Sequence, residues 1–307
     1  MDGAIRLPFA GHVATIALDP IEKKPLYHYM PGHQVLSLGF LGCNLACRFC
    51  QNWTISQSVK EAPSSPPKAL SALELVGLLD QYAATGCVGV AYTYSEPVVW
   101  YEYLMELGTA VKEAGYHNIL VTNGFINARP WKDLLGVIDA VNVDVKGFTE
   151  AFYQDVCDGS LEPVVRNVEA AVTAGLHVEV TYLVIPGGTD DPATFLAFAK
   201  WLRSLDPNIA LHLNRYYPNY RMSVPPTPKK TLLKLKEKAM QELNNVYLGN
   251  IWVPGASDSY CSNCGQRLVR REGYRTQNEG LTALGNCKRC KTESGIILRR
   301  NPRKGER

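Results

Sequence analysis

The sequence predicts an α/β fold in which parallel strands are joined by helical crossovers. Short apolar segments recur along the chain, amphipathic segments separate them, and Gly or Pro marks most of the junctions. The predicted strands are residues 35–40, 88–92, 118–122, 140–145, 177–184, 209–213 and 246–248. Because they alternate with helices at intervals of roughly 25 to 50 residues, the pattern indicates an α/β sheet or barrel.

The predicted helices occupy residues 71–84, 97–114, 130–135, 163–174, 192–205 and 229–243. The first of them follows a linker at 63–67 and opens with Ser71-Ala-Leu-Glu74. This is a capping box, in which each side chain satisfies a free backbone N–H of the other residue.

Residues ahead of the first barrel strand predict an N-terminal hairpin. Residues 11–18 alternate like a strand, Asp19-Pro20 breaks it, and residues 25–30 are its predicted partner. We therefore expect an N-terminal extension at 1–34, an α/β domain at 35–250 and a C-terminal module at 251–307.

The composition is typical of a soluble globular protein. Of 307 residues, 46% are hydrophobic and 20% are charged, and no apolar run is long enough to span a bilayer. The first residues lack the basic and apolar regions of a secretory signal. Seven of the nine cysteines fall into clusters of metal-ligand spacing, which favours a reducing, cytoplasmic environment over disulfides.

Positive charge is concentrated at the C-terminal end. From Cys261 onward there are 12 Lys and Arg against 4 Asp and Glu, whereas the rest of the chain carries a net charge of −5. The surplus could form a solvated face, a docking surface for an acidic protein or a nucleic-acid contact. Few aromatic residues are interleaved with these arginines, so single-stranded nucleic acid is not favoured.

Cys43, Cys47 and Cys50 form a C-x3-C-x2-C loop directly after the first predicted barrel strand. Three thiolates this close in sequence can converge on one metal centre. A 4Fe-4S cube normally takes one cysteine per iron, so three cysteines leave one iron open, as in a catalytic site. The alternatives are three buried structural thiols, or a site completed by a fourth cysteine from elsewhere.

Polar residues follow the next three predicted strands. Enzymes of this architecture place their sites at the carboxyl ends of the strands. Glu96 could bind a ligand there or simply favour the following helix N-terminus, and Asn123-Gly124 could be only a turn. Asp144 and Lys146 project to the same face of a strand, so they either contact a ligand or form an internal ion pair.

The C-terminal module carries a second metal signature. Cys261 and Cys264 form one C-x2-C pair and Cys287 and Cys290 form another, 22 residues later. Four thiolates in this spacing predict a closed tetrahedral site for zinc or, less often, a single iron, as in a zinc ribbon or rubredoxin. A disulfide pair is the alternative. So short a segment would need the metal in order to fold.

The cysteine loop, including Phe49, resembles that of the radical S-adenosylmethionine (radical SAM) enzymes. Nearly the whole chain is similar to the AmmeMemoRadiSam-system radical SAM enzymes, which are described as pyruvate formate-lyase activating enzyme-like. The matching segments are residues 49–53, 92–97, 121–125, 144–148, 225–228 and the terminal C-x2-C pairs. This resemblance implies a partial (β/α)6-type, TIM-like barrel with a 4Fe-4S cluster on Cys43, Cys47 and Cys50, and SAM chelated to the open iron.

The resemblance also implies the residues that contact SAM, namely Phe49, Ser95, Glu96, Thr122, Asn123, Asp144 and Lys146. In the family an acidic residue corresponding to Glu96 binds the SAM amino group, and an Asp-x-Lys pair faces its ribose and carboxylate. Two departures are visible. Tyr94 and Ser95 replace the usual glycines, and Val121 replaces an acidic residue that helps the activases bind a monovalent cation.

The implied activity is reductive cleavage of SAM to a 5'-deoxyadenosyl radical, which abstracts hydrogen from a small molecule or a partner protein. Implied partners are an electron donor such as flavodoxin or ferredoxin, and Memo-like and AMMECR-like proteins. One alternative is an activase of a glycyl radical enzyme. The other is a non-catalytic iron-sulfur and zinc protein that acts in electron transfer or macromolecular interaction. Neither nucleic acid nor a membrane is an expected partner.

Overall fold

The computed structural model describes residues 11–57 and 68–299, so the predicted linker at 63–67 lies outside the described residues. The strands are β1 (His12–Val13), β2 (Thr15–Pro20), β3 (Gln34–Gly39), β4 (Lys68–Ala69), β5 (Cys87–Thr93), β6 (His117–Thr122), β7 (Ala140–Val145), β8 (His177–Val184), β9 (Ala210–Arg215), β10 (Asn245–Gly249), β11 (Ser259–Tyr260), β12 (Arg267–Glu272) and β13 (Arg275–Asn278). The helices are α1 (Trp53–Ser56), α2 (Ala72–Tyr82), α3 (Tyr101–Glu113), α4 (Ala128–Leu135), α5 (Glu150–Phe152), α6 (Glu162–Thr173), α7 (Pro192–Leu205) and α8 (Lys229–Ala239).

Eight strands form the main sheet in the order β10-β9-β8-β7-β6-β5-β3-β2. All neighbours are parallel except β2, which runs antiparallel to β3. Strands β2 and β10 are the two edges, so the sheet is an open barrel. The predicted α/β fold with a partial TIM-like barrel is confirmed, and β10 adds a seventh parallel strand to the six that the resemblance implied.

The central strands are buried on both faces, as expected of a parallel sheet covered by helices. On the outer face, α7 packs Phe195 and Phe198 against Tyr182 of β8, with ring centroids 5.6 and 4.7 Å apart. The predicted capping box of α2 is confirmed, with Ser71 and Glu74 each bonded to the backbone of the other. These packed helices fix the strand ends on which the site is built.

The predicted N-terminal hairpin is wrong. Strand β2 pairs with β3, from Thr15 opposite Gly39 to Pro20 opposite Gln34, and Asp19-Pro20 lies inside the strand instead of breaking it. Proline is tolerated there because β2 is an edge strand. Residues 25–30 form no strand beside β2 but contribute buried side chains to the barrel interior.

We call residues 21–30 the floor segment, because they close the end of the barrel opposite the carboxyl ends of the strands. Leu26 is fully buried and packs in one cluster with Val35 and Ala91 of the neighbouring strands. The backbone N–H groups of Tyr27 and His28 donate to the carboxylate of Glu179, at 3.0 and 2.7 Å. These two backbone N–H groups thus bond to a buried carboxylate and not to the neighbouring strand that the predicted hairpin required.

The C-terminal module has its own antiparallel sheet, β11-β12-β13, and its own core, which includes Leu268 and Val269. It contacts the floor segment through backbone bonds from Met30 N to Ile297 O at 2.7 Å and from Ile297 N to His28 O at 2.8 Å. The separate core supports a distinct unit, but the boundaries at 34/35 and 250/251 stay a prediction, since β2 already belongs to the main sheet.

Two predicted helices are shorter in the structure than in the prediction. The helix predicted at 97–114 is a 3-10 turn at Pro97–Trp100 followed by α3, and the helix predicted at 229–243 ends at Ala239. A π-helical turn at Tyr153–Cys157 was not predicted, because a single turn carries no periodic signal. Across the described ranges, none of the helices is both long and apolar enough to cross a bilayer.

Candidate active site and metal centre

A cavity of about 380 Å³ lies at the carboxyl ends of strands β3 and β5 to β10. All ten residues predicted for the cluster and SAM line it, namely Cys43, Cys47, Phe49, Cys50, Ser95, Glu96, Thr122, Asn123, Asp144 and Lys146. They come from the ends of four neighbouring strands. Because the ends of parallel strands meet at one edge of a barrel, residues scattered over about a hundred positions share one cavity.

The cysteine loop is held in place by backbone and side-chain bonds. Gly42, at φ +94°, donates to Ile55 O at 2.8 Å and turns the chain out of β3. Leu45 N donates to the Cys43 sulfur at 3.4 Å, and Cys50 and Ser56 are joined by a 3.1 Å side-chain bond. The structure therefore presents three thiols on one short, fixed loop.

Burial sets the protonation of the Cys43 thiol. It raises the pKa of Cys43 to about 12, and the nearby Glu96 carboxylate adds to the effect. The free thiol is therefore protonated at neutral pH. Binding of iron by Cys43 would have to displace that proton, as it does at other thiolate metal sites.

Glu96 is 2% exposed and is bonded to the strand beside it. Its carboxylate accepts from the Thr122 hydroxyl at 2.6 Å, from Asn123 N at 2.7 Å and from Val98 N at 3.1 Å. Burial raises the pKa of Glu96 to about 7, although these hydrogen bonds oppose the shift. A carboxylate has about four acceptor positions, so Glu96 keeps capacity for one more donor.

Tyr94, two residues before Glu96, has a backbone φ of +71°, in the left-handed region that favours glycine. The resemblance to the radical SAM enzymes implies glycines at this turn, where this chain has Tyr94 and Ser95. Here the tyrosine is held by its hydroxyl, which bonds Asp19 and accepts from Lys24 Nζ at 3.3 Å. The turn that aims Glu96 into the cavity is therefore kept by side-chain anchoring in place of a glycine.

Asp144 and Lys146 form an ion pair on the cavity wall, with Nζ 2.5 Å from Oδ2. The other oxygen, Asp144 Oδ1, is buried and has no hydrogen-bond partner among the described residues. Burial opposes the charge on Lys146, but Asp144 and the neighbouring cysteines hold its pKa well above the ordinary value. The internal ion pair expected as the alternative is present, and it still leaves an unsatisfied acceptor at the cavity.

These observations test whether the residues fit a cluster and SAM. Three sulfur donors suit iron, while an orphaned carboxylate oxygen suits a hydroxyl donor. A buried carboxylate with a raised pKa suits a cationic partner. Of the described residues that line the cavity, Cys43, Cys47 and Cys50 are the only cysteines, so the cavity offers no fourth thiol. The donor set fits both groups.

Cys157 is one of the two cysteines outside the predicted metal clusters, and the sequence did not indicate that it lies beside the cysteine loop. It is fully buried, its carbonyl accepts from Ala46 N at 2.8 Å, and Val156 O accepts from Arg48 N at 3.0 Å. Contact with the Cys157 thiol, together with burial, raises the pKa of Cys47. Cys157 thus packs against the cysteine loop without being one of the residues that line the cavity.

Other cavity residues also escaped sequence reasoning. His212 and Asn214 face the cavity from β9, and Lys24 faces it from the floor segment. Burial lowers the pKa of Lys24 to about 8, against the ion pair that it forms with Asp19 at 2.8 Å. The alternation of His212, Asn214 and Tyr216 along β9 was the available signal, because alternate residues of a strand share a face.

The four cysteines of the C-terminal module converge, as the sequence predicted. Their sulfurs all lie within 4.8 Å of one another, with Cys261 and Cys290 3.5 Å apart and Cys264 and Cys287 3.7 Å apart. A tetrahedral site with metal–sulfur bonds of about 2.3 Å would place its sulfurs about 3.8 Å apart. All nine cysteines are free thiols, so the disulfide alternative is not seen, and the cluster could hold a metal ion.

The fold and the site define a class of protein, namely a barrel enzyme whose cysteine loop and polar strand ends share one cavity. The sequence profile of the radical SAM superfamily matches residues 38–199, slightly over half of the chain. An uncharacterized protein of Methanocaldococcus jannaschii is 38% identical over 292 residues, covering 94% of this chain and 85% of that protein. The chain belongs to the radical SAM superfamily.

Within that superfamily the chain is similar to activating enzymes. The pyruvate formate-lyase 1-activating enzyme of Escherichia coli is 24% identical over 180 residues, covering 57% of this chain and 70% of that protein. The structure of Streptococcus suis SuiB bound to S-adenosylmethionine superimposes with a TM-score of 0.56 at 13% identity, covering 75% of this chain and 53% of that chain. The first likeness confirms the predicted resemblance to pyruvate formate-lyase activating enzymes, and the second confirms the fold.

Proposed function

We propose that Cys43, Cys47 and Cys50 bind a 4Fe-4S cluster and that SAM binds the iron left without a cysteine. One observation carries this proposal: all ten residues expected for the two groups line one cavity. When bound, the two groups supply one-electron cleavage of SAM to methionine and a 5'-deoxyadenosyl radical, which takes a hydrogen atom from the substrate. The chain's own residues position the groups for this reaction.

Glu96 is proposed to accept a hydrogen bond from the SAM amino group. Thr122 and Asn123 hold its carboxylate at 2.6 and 2.7 Å, so that its remaining acceptor position is fixed. Asp144 Oδ1 has no described partner and would accept from a ribose hydroxyl. Lys146, paired with the other oxygen of Asp144, would neutralise the SAM carboxylate.

Phe49 and Ser95 complete the proposed SAM site. Phe49 is 5% exposed and stacks on Phe152 with centroids 6.3 Å apart, so it offers a fixed apolar wall. Ser95 donates to Phe40 O at 2.6 Å, which ties the turn before Glu96 to the end of β3. Ser95 is therefore expected to position Glu96 more than to bind SAM strongly.

The C-terminal module is proposed to bind one structural metal ion, zinc or iron, through Cys261, Cys264, Cys287 and Cys290. Four thiols leave no open coordination position, so this ion would stabilise the module and take no part in the reaction. Its sheet would then support the floor segment, because Arg271 of β12 donates to Tyr27 O and Thr276 of β13 donates to Glu22.

The substrate is proposed to be a small molecule or a partner protein. A glycyl radical enzyme is the second candidate, because the chain is similar to a pyruvate formate-lyase 1-activating enzyme and, over 115 residues at 27% identity, to the benzylsuccinate synthase activating enzyme of Thauera aromatica. Memo-like and AMMECR-like proteins remain proposed partners on the family resemblance alone. Cytoplasmic location is likewise proposed.

Anaerobic reconstitution tests the function. The protein is loaded with iron and sulfide, reduced with dithionite and incubated with SAM, and 5'-deoxyadenosine is measured by mass spectrometry. We expect its formation in the wild type and its loss in Cys50→Ala, with Cys87→Ala as the matched cysteine control. Full cluster loading without any 5'-deoxyadenosine would favour the non-catalytic alternative. A persistent glycyl radical signal in a partner protein would select the activase.

A further inference from the structure

An exposed aromatic pair lies beside the cysteine loop. Trp53 follows Cys50 by three residues, is 41% exposed and stacks on Tyr220, with ring centroids 5.3 Å apart and planes inclined by 14°. The guanidinium of Arg221 lies 4.9 Å from the centroid of the Tyr220 ring. Residues 51–54 are all exposed, so the surface continues directly from the proposed iron ligand.

The loop that carries this pair is built against the cysteine loop. Arg221 N donates to Arg48 O at 2.9 Å, and the Tyr216 hydroxyl donates to Met222 O at 3.0 Å. Tyr220 has a φ of +54°, a conformation that costs a non-glycine residue free energy and that persists only where surrounding contacts enforce it. The exposed position of the tyrosine is therefore fixed by the fold.

We propose that Trp53, Tyr220, Arg221 and Arg48, here called the docking patch, bind a protein electron donor. This inference rests on the proposed function, which needs one electron from outside for each SAM cleaved. The cysteines face the inner cavity, whereas the docking patch is the exposed surface continuous with the same loop. Electron transfer weakens steeply with distance, so a donor must dock close to the cluster.

The composition of the docking patch suits a protein partner. Trp, Tyr and Arg are the residue types that dominate binding energy at protein interfaces, and a rigid stacked pair loses little conformational entropy on binding. A nucleic acid would need a larger positive surface. The patch is small, as expected for the transient complexes through which electrons pass.

The charge of the docking patch selects an acidic donor. Arg48 and Arg221 are both exposed, and neither forms an ion pair with another described residue. Asp155 and Asp158 are exposed and flank Val156, whose carbonyl accepts from Arg48 N, so negatively charged residues lie on the segment next to Arg48. Arg221 is therefore the residue whose charge should steer an acidic protein such as flavodoxin or ferredoxin.

Stopped-flow reduction of the oxidised cluster tests the proposal. Reduced flavodoxin and reduced ferredoxin are the protein donors, and dithionite is the small donor that needs no docking. We expect Trp53→Ala and Arg221→Glu each to lower the second-order rate with the better protein donor by about tenfold. Their rates with dithionite should equal that of the wild type, and Arg221→Glu should also weaken the salt dependence.

Matched controls are Trp252→Ala and Arg275→Glu, which change an exposed tryptophan and an exposed arginine outside the docking patch. If Trp53→Ala loses iron, Arg221→Glu carries the test, because Arg221 is an exposed residue on a different loop. Rates with both protein donors that match the wild type would overturn the docking patch. Failure of the wild type to bind a cluster would instead overturn the proposed function.

Discussion

Nε2 of His212 lies 2.7 Å from Oε2 of Glu179 in the barrel interior. Glu179 is fully buried and is also bonded to His177 at 2.9 Å and to the backbone of Tyr27 and His28. Burial would raise the pKa of Glu179, but the bonds from His177 and His212 hold it well below its ordinary value. One carboxylate therefore joins the floor segment to a residue that lines the cavity.

Glu179→Gln should lower the free energy of unfolding by about 3–5 kcal/mol, because four donors would lose a buried charged acceptor. Urea denaturation of the purified protein measures the change. Glu113→Gln, at an exposed end of α3, is the control and should shift stability by at most about 0.5 kcal/mol. Equal stabilities of the two variants would show that Glu179 does not hold the floor segment.

His28 should make the protein acid-sensitive below about pH 6.5. Burial lowers the pKa of His28 to about 3, so the unfolded chain takes up a proton that the folded protein does not. The contribution of His28 to stability is therefore complete above the ordinary pKa of 6.5 and is lost as pH falls, by about 1.4 kcal/mol per pH unit down to about 3.

Unfolding free energies of the wild type and of a His28 variant, measured between about pH 7 and pH 5, test this role. The comparison with the variant is needed because Glu96, with a pKa of about 7, titrates in the same range with the opposite sign. The groups around His28 are Glu179, Arg271, His177 and His212. His28→Gln keeps a hydrogen-bonding side chain next to Tyr247 and should reduce the slope. An unchanged slope in this variant would assign the acid sensitivity to another group.

Glu96 should make SAM binding depend on pH. Its pKa of about 7 leaves much of the carboxyl group neutral just below neutral pH, and only the charged form pairs well with an amino group. Affinity for SAM should therefore rise by about tenfold per pH unit up to about pH 7 and then level off. Anaerobic calorimetry of the cluster-loaded protein would give the affinities, and Glu96→Gln should bind more weakly without this dependence. A flat profile in the wild type would remove Glu96 from the SAM site.

Cys43→Ala should abolish cluster binding, because two thiols cannot hold a cube whose third cysteine ligand is gone. Iron and sulfide analysis after reconstitution measures the loss. Cys87→Ala is the matched control, since Cys87 is buried and does not line the cavity. Cys157→Ala removes the thiol that contacts Cys47, and loss of the cluster in this variant but not in Cys87→Ala would point to a fourth thiol ligand.

Removal of the C-terminal metal should leave the cluster intact. A Cys261→Ser and Cys264→Ser double variant should lose one metal ion and the protease resistance of the module, because short metal modules fold with their ion. Metal analysis and visible absorbance of the same sample separate the two centres. Loss of both centres together would show that the module is not independent of the barrel.

The strand ends were predictable because buried parallel strands read as short apolar runs, and polar residues after them stand out. Glu96, Asn123 and Asp144 were found in this way, and all three line the cavity. Their partners could not be found, because a hydrogen bond such as Thr122 to Glu96 depends on the register of two strands.

The floor segment was misread for a related reason. Residues 25–30 are predicted as the hairpin partner of the alternating segment 11–18, but two of their backbone N–H groups bond to Glu179, about 150 positions away in the sequence. The positive φ of Tyr94 was also hidden, since a tyrosine gives no sign of a turn that glycine normally fills. Local sequence patterns therefore predicted the helices and strands of the barrel. They could not predict that residues 21–30 close one end of it, because this depends on contacts with residues distant in the sequence.

The bond from Arg271 to Tyr27 joins residues 244 positions apart. At a synthesis rate of about 5–20 residues per second, Tyr27 leaves the ribosome roughly ten to fifty seconds before this arginine exists. During that interval the apolar side chains of residues 21–30 are not yet covered by the C-terminal module. The outer side of the floor segment is then uncovered, and we expect the nascent chain to be most vulnerable to aggregation before its final segment has emerged.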